Sequence, residues 1–509
     1  MALSPTLRVA GALLAASAVA LSLTSCFSGG TPATADGDDA RISVAMLQPP
    51  RSGLTPLSDD AFKLSRWSTA ETLVVLDEVG DAQPGLATAW EQVDDTTWRF
   101  TIRTGVTFHD GTALTAEQVA ASLTAAAQAS PLPRILNGVD LTATADGDAV
   151  IVTTADKDPL VPHRLSSPQL AILAAAAYGA DGVVDPVGHG TGPFVLVDVD
   201  GTAGATLDRY DGYWGEPATA AGIDVAFVPD GTARAAALRT GTADVVEAVP
   251  VGQVAQIDES LIHEVPMPRT NTLYLNTSEG PFADPAVRAA AAAAIERATI
   301  VDTVYEGRAD VAEGLLGPAL PWAAGLRDDA GYRDELTHHE TAPAQVDGVR
   351  ITLGTFTDRA ELPEVAVLIE QQLEAAGFVV EQDVREYQYI EADALDGAFD
   401  AFILSRATVI DSGDPVAYLT SDFTCAGTFN ISQFCDPEVD ALVAAASQTD
   451  AGEERRAAIM RAEAAILARH AAIPMLHERV IQGEAAGVSG VDRDPRERTL
   501  ITPRSAVER

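Results

Sequence analysis

The stretch ETLVVLDEVGDAQPGLATAWEQVDDTTWRFTIRTGVTFHDGTALTAEQVAASL, residues 71–123, changes its hydrophobic period part-way along. In TWRFTIR, Thr97 to Arg103, Trp98, Phe100 and Ile102 alternate with Arg99 and Thr101. A period of two predicts a half-buried antiparallel strand. Asp110-Gly111 then supplies turn chemistry, because Gly takes positive φ freely and Asp bonds its own backbone. Thr115 precedes an Ala- and Leu-rich run with Gln118 three residues on, which predicts an N-cap and capping box opening a helix. Strand, turn and capped helix in one short stretch indicate a mixed α/β chain.

The same mixture continues outward. FADPAVRAAAAAAIERATIVDTVYEG predicts one helix, capped by Asp284, with Pro285 at its first position and a stop at Gly307. EVAVLIEQQLEAAG carries an apolar stripe of Val365, Leu368, Ile369, Leu373 and Ala376, ends at Gly377, and leads into the strand FVVEQDV. DPEVDALVAAAS and EERRAAIMRAEAAILARH predict two more helices, residues 323–348 read as a polar loop, and no internal repeat is visible.

At the N-terminus, Arg8 precedes an apolar run from Val9 to Leu23, and small residues lead into Cys26, the pattern of an export signal. Leu23-Thr24-Ser25-Cys26 also resembles a bacterial lipobox, so Cys26 is expected to carry the lipid that anchors the mature chain. Residues 27–40, Gly-, Ser-, Thr-, Pro- and Asp-rich, predict a flexible tether. The body then lies outside the cytoplasm, at the outer face of the membrane. It is too long for a single core, so two or three lobes are expected. The net charge of −41 argues against nucleic acid or anionic lipid as partner. In an exported chain Cys425 and Cys435 are expected to form a disulfide.

Four segments in order resemble the family 5 extracellular solute-binding proteins of ABC importers, the oligopeptide, dipeptide and nickel group. They are residues 71–123, with Pro84-Gly85-Leu86-Ala87, Trp90 and Phe108-His109-Asp110-Gly111; VGHGTGPFVLVDVDGTAGATLDRYDGYWGEP, with Gly192-Pro193-Phe194 and Tyr213-Trp214-Gly215; NTLYLNTSEGPFADPAVRAAAAAAIERATIV; and DSGDPVAYLTSDFTCAGTFNISQFCDPEVDALV. Phe194 departs from the family's usual tyrosine. The resemblance implies a two-lobed periplasmic-binding-protein-like α/β fold with an extra subdomain and lobes joined by crossing strands. The expected division gives 41–66, 185–270 and 478–509 to lobe I, 67–184 to its extra subdomain, and 271–477 to lobe II.

The resemblance also implies a peptide held between the lobes, no cofactor, no catalysis, a monomeric binder, and an ABC permease with its ATPase subunits as partner. In DSGDP, Asp411 stands where peptide-binding relatives meet the ligand's ammonium group; a turn cap explains the same residue. Several relatives carry an aromatic at the position of Thr408. Arg359 and Arg406 are candidates for a ligand carboxylate, since a guanidinium takes one through two parallel bonds. Tyr274 and Asn276, in TLYLNTS, are expected to face the cleft. His109-Asp110 and the glycines of 188–192 read as turn elements, and His338-His339 as a solvated face, so no metal site is expected. A carrier of nickel or another metal chelate is the closest alternative. A sensor lipoprotein and a secreted hydrolase stand further off, the latter lacking Gly-x-Ser-x-Gly, His-Glu-x-x-His and phosphate-loop motifs.

Overall fold

The computed structural model describes residues 40–509, apart from 180, 181, 340 and 410. Cys26 and the tether up to residue 39 lie outside the described residues, whereas Ala40 is already packed in a core. Among the described residues no helix is long and apolar enough to cross a membrane.

Among the described residues an 11-stranded sheet runs through the molecule. At its centre two long strands, Ile262–Leu275 and Ala472–Glu484, pair antiparallel. Their register slips between Pro266 and Thr270 and again between Asn271 and Thr272. Such slips bend and twist a strand locally. On one side of this pair lie Ala401–Ala407, Val349–Phe356 and Phe378–Arg385; on the other lie Val245–Val246, Arg41–Met46, Gly222–Phe227, Gly204–Arg209 and Phe194–Asp200; the short strand Ala309–Val311 also pairs with Ala472–Glu484. Separate apolar cores form on the two sides, one centred on Leu273, Leu353, Ile369 and Ile466, the other on Ile42, Phe194, Leu207 and Ile223.

A four-stranded antiparallel sheet stands apart, in the order Ala87–Asp94, Thr97–Ile102, Ala149–Thr154, Leu141–Asp146. Phe100 and Ile102 are buried in its own core, against the helix Ala116–Ala127. Thr115 caps that helix by accepting from the Gln118 amide at 3.3 Å. Among the described residues the Gln118 side-chain oxygen has no partner, so the reciprocal half of the capping box is not made.

Two expectations are corrected. The helix read through 285–307 is two helices, Pro285–Ala294 and Arg297–Val304. Ile295 and Glu296 leave helical geometry, and the Glu296 amide donates instead to Gln372 Oε1 at 2.9 Å. A tertiary bond thus replaces the one the helix loses, which local propensity cannot foresee. The polar loop at 323–348 contains the helix Ala330–His338, capped by Asp329 and anchored by the buried ring of Tyr332. Its other faces meet water, which is why its composition reads as loop. The helix Glu361–Ala375 does stop as read, with Gly377 at φ +103°.

Candidate ligand-binding seam

Three of the sequence motifs meet in a single packed joint. Gly190 and Gly192 pass so close to the backbone at 68–69 that an added Cβ would lie 1.9 Å from the Thr69 carbonyl oxygen and 2.0 Å from that of Ser68. The His109 amide donates to Gly190 O, and its Nε2 lies 2.9 Å from Gly192 O. Glu71 accepts from Thr191 Oγ1, Tyr213 OH and Trp214 Nε1 at 2.7–2.9 Å. Burial raises the Glu71 carboxyl above its ordinary range despite these donors. Asp110 closes the turn by accepting from Thr112 N and Oγ1. This joint ties the small sheet to the large one, and the Glu71 carboxylate and His109 Nε2 are consumed in doing so, while His109 Nδ1 and Thr69 Oγ1 stay buried without a partner among the described residues.

The chemistry open to a ligand lies elsewhere, along a seam where arginines converge in an acidic chain. Asp411 receives Arg134 Nε and Nη2, each at 2.7 Å, while Arg134 Nη1 reaches Asp59 at 2.9 Å. The Asp411 carbonyl accepts from Arg498 Nη2 at 2.7 Å. Arg406 grips Asp422 through two bonds of 2.7 and 2.8 Å and lies 4.2 Å over the Phe429 ring. Burial opposes its charge, but the two-point bond to Asp422 outweighs burial and raises Arg406. Arg359 donates to Glu478 at 2.5 Å. Arg269 lies among these groups. Burial lowers its pKa, Glu497 opposes that, and the charges of Arg359 and Arg406 add to the lowering.

The structure therefore brings Arg359 and Arg406 near one another through Arg269, with Asp411 at the Arg134 end of the same seam. Tyr274 stands behind it, 1% exposed, stacked on Phe423 at 6.0 Å. Asn276 closes a turn: its amide donates to Gly397 O at 3.1 Å and its oxygen accepts from Ser278 N and Oγ. Residues 273–276 are all buried, because this strand is covered on both faces and alternation there separates two interiors. Thr408 turns inward onto Pro268 O, and Phe429 and Tyr387 supply aromatic surface near Arg406. Sequence reasoning missed Arg134, Arg269, Glu497 and Arg498. Strand alternation in RTNTL, which puts Arg269 and Asn271 on one face, was a usable signal for Arg269; Arg134 had none.

Cys425 and Cys435 bring their sulfurs to 2.06 Å, beyond the Asp411 turn. A separate hollow of about 600 Å³ opens between the small-sheet unit and the end of the helix Pro437–Gln448, walled by Leu132, Leu136, Lys157 and Arg164. Glu335, His339 and Glu438 bring one possible metal ligand each within 4.8 Å. Arg469 Nη2 stands against two of them, 3.0 Å from His339 Nε2 and 2.7 Å from Glu438 Oε2.

The family model for bacterial extracellular solute-binding proteins, family 5, middle region, matches residues 81–430. The chain belongs to this family. It is 26% identical over 396 residues to a nickel-binding protein NikA of Staphylococcus aureus, covering 76% of this chain and 78% of that protein. It is 26% identical over 462 residues to a probable di/tripeptide-binding protein of Pseudomonas aeruginosa, covering 82% and 85%. The crystal structure of a nickel ABC transporter protein from Bacillus halodurans superposes with a TM-score of 0.77 at 25% identity, over 92% of this chain and all of that one. The unliganded open form of the murein tripeptide-binding protein MppA gives 0.75 at 18% identity, over 93% and 99%, a likeness of fold. The two-lobed binding-protein fold of the family is thus the fold of this chain.

Proposed function

We propose that this chain is the substrate-binding component of an ABC importer, which captures short peptides in the arginine-lined seam and passes them unaltered to a permease. The observation that carries the reading is the seam itself: a carboxylate, Asp411, and several guanidinium groups share it, beside the paired strands that cross the molecule. A peptide carries one ammonium and one carboxylate, and each needs a counter-charge when it leaves water. Asp411 takes the ammonium; Arg359 and Arg406 form the cationic wall; Tyr274 and Asn276 support the strand behind it. The di/tripeptide-binding relative supports this class of ligand.

Residues 41–66, 185–270 and 478–509 act as one lobe, carrying 67–184, and 271–477 as the other, with the register slips of the crossing strands as hinge. Closure follows from the ligand's greater affinity for the closed form. Lipid on Cys26 holds a monomeric body at the outer face of the membrane, and a Cys425–Cys435 disulfide pins the loop beyond Asp411. The nickel-binding relatives favour a second reading, an anionic metal chelate in the same cationic seam.

Native mass spectrometry on protein purified without refolding decides between them. Copurified peptides of several intact masses support the first reading, a metal-containing adduct supports the second, and cleaved products refute both. Asp411→Ala is expected to weaken a free-amine peptide far more than its acetylated form. Equal losses mean that Asp411 only shapes its turn.

A further inference from the structure

The arginines of the seam differ in what already holds them. Arg134, Arg359, Arg406 and Arg498 each donate to a carboxylate or carbonyl at 2.5–2.9 Å. Arg269 does not. Its only ion-pair contact within 4 Å, among the described residues, is Glu497 Oε1 at 3.8 Å from its Nε, beyond hydrogen-bond reach. Both atoms are buried, and among the described residues both lack a hydrogen-bond partner. Arg269 is surrounded by protein charges on several sides, yet a quarter of its side chain (24%) still meets solvent. Its guanidinium is thus partly desolvated and still reachable from solvent.

Two backbone features fit this setting. Arg269 lies inside the register slip between Pro266 and Thr270, where pairing with Ala472–Glu484 lapses while pairing with Ala401–Ala407 begins at Arg269↔Ala407. Glu497 is held at φ +59°, a left-handed conformation that a Glu adopts only at a cost of about 1–2 kcal/mol.

We propose that Arg269 is the direct anchor for a carboxylate of the ligand, and that Glu497 is a built-in stand-in that the ligand carboxylate displaces. This rests on the peptide reading above and sharpens it: Arg359 and Arg406, already bound to Glu478 and Asp422, supply field, while Arg269 supplies the bonds. A guanidinium left without hydrogen-bonded acceptors in a partly desolvated site gains most from an arriving carboxylate, through two parallel N–H···O bonds.

The test uses calorimetry with alanine peptides of two to five residues, each as free acid, C-terminal amide and N-acetylated free acid. In wild type the free acid binds more tightly than the amide. Arg269→Met is expected to lower free-acid affinity by about tenfold or more and to leave the amide unchanged. Glu497→Gln, isosteric and insurance against misfolding of the first variant, is expected to tighten the free acid a few-fold by removing the competitor. Equal weakening of acid and amide in Arg269→Met, or a weaker free acid in Glu497→Gln, overturns the assignment. Wild type that binds no peptide in any form overturns the peptide reading, and this inference with it. Wild type that binds peptide while both variants leave the acid–amide difference intact overturns this inference alone.

Discussion

Removing Arg134 should improve binding, and by an amount the structure bounds. In the described state its guanidinium occupies both oxygens of Asp411, so an incoming ammonium must first displace it. The Arg134 side chain is 45% exposed and that of Asp411 26%, so water competes for both partners. Ion pairs of that exposure contribute about 0.5–1 kcal/mol. Arg134→Ala should therefore lower the Kd of a free-amine peptide by about two- to five-fold and leave its N-acetylated form unchanged. The gain should shrink as salt rises from low to physiological ionic strength, because the pair it removes is screened. Isothermal titration of both peptides at two salt concentrations measures this directly. Weaker free-amine binding in Arg134→Ala would show that Arg134 supports the ligand. Equal tightening of the acetylated peptide would show that it only props the lobes.

Further outcomes concern stability. Arg455 is nearly buried and holds Asp414 at 2.7 and 3.1 Å, so Arg455→Leu leaves a buried carboxylate alone and should cost about 3–5 kcal/mol by urea unfolding; adding Asp414→Asn should recover part of it. Burial pushes the Asp414 carboxyl up, but Arg455 outweighs that and holds it below its ordinary value. Its contribution is thus complete above about pH 4 and lost as pH falls through the native value. Burial lowers His477 to about 4, so the unfolded chain takes this proton near pH 6.5 while the native state refuses it. Stability should fall between pH 7 and 5, by roughly 2 kcal/mol from this site, and His477→Asn should flatten that slope. Reducing a Cys425–Cys435 disulfide should cost about 2–3 kcal/mol, read as a lower melting temperature in dithiothreitol; no change would mean the pair is not bonded in solution. Gly190→Ala should cost several kcal/mol or prevent folding, because a Cβ there meets a carbonyl oxygen at 1.9 Å.

Much of the local structure was legible because its causes are local. The alternation of Trp98, Phe100 and Ile102, the caps at Thr115 and Asp284 and the stop at Gly377 depend on neighbours within a few positions. Family membership was legible for a related reason, since the glycines and aromatics of the quoted motifs are those the packed joint at Gly190, Glu71 and Trp214 demands.

The break at Ile295–Glu296 and the helix at 330–338 escaped, since a distant glutamine makes the first tolerable and a one-sided contact stabilises the second. The site was legible in kind and not in arrangement. Sequence could nominate Asp411, Arg359 and Arg406 by residue type and order; it could not say that each is already paired, by Arg134, Glu478 and Asp422, residues 277, 119 and 16 positions away. Nor could it show what distinguishes Arg269, a missing bond. Caps and periodicity are fixed by the chain's own short-range geometry, so the sequence by itself determined them. Which charges meet, and which are left waiting, depends on contacts between elements remote in the chain, and only the tertiary structure decided it.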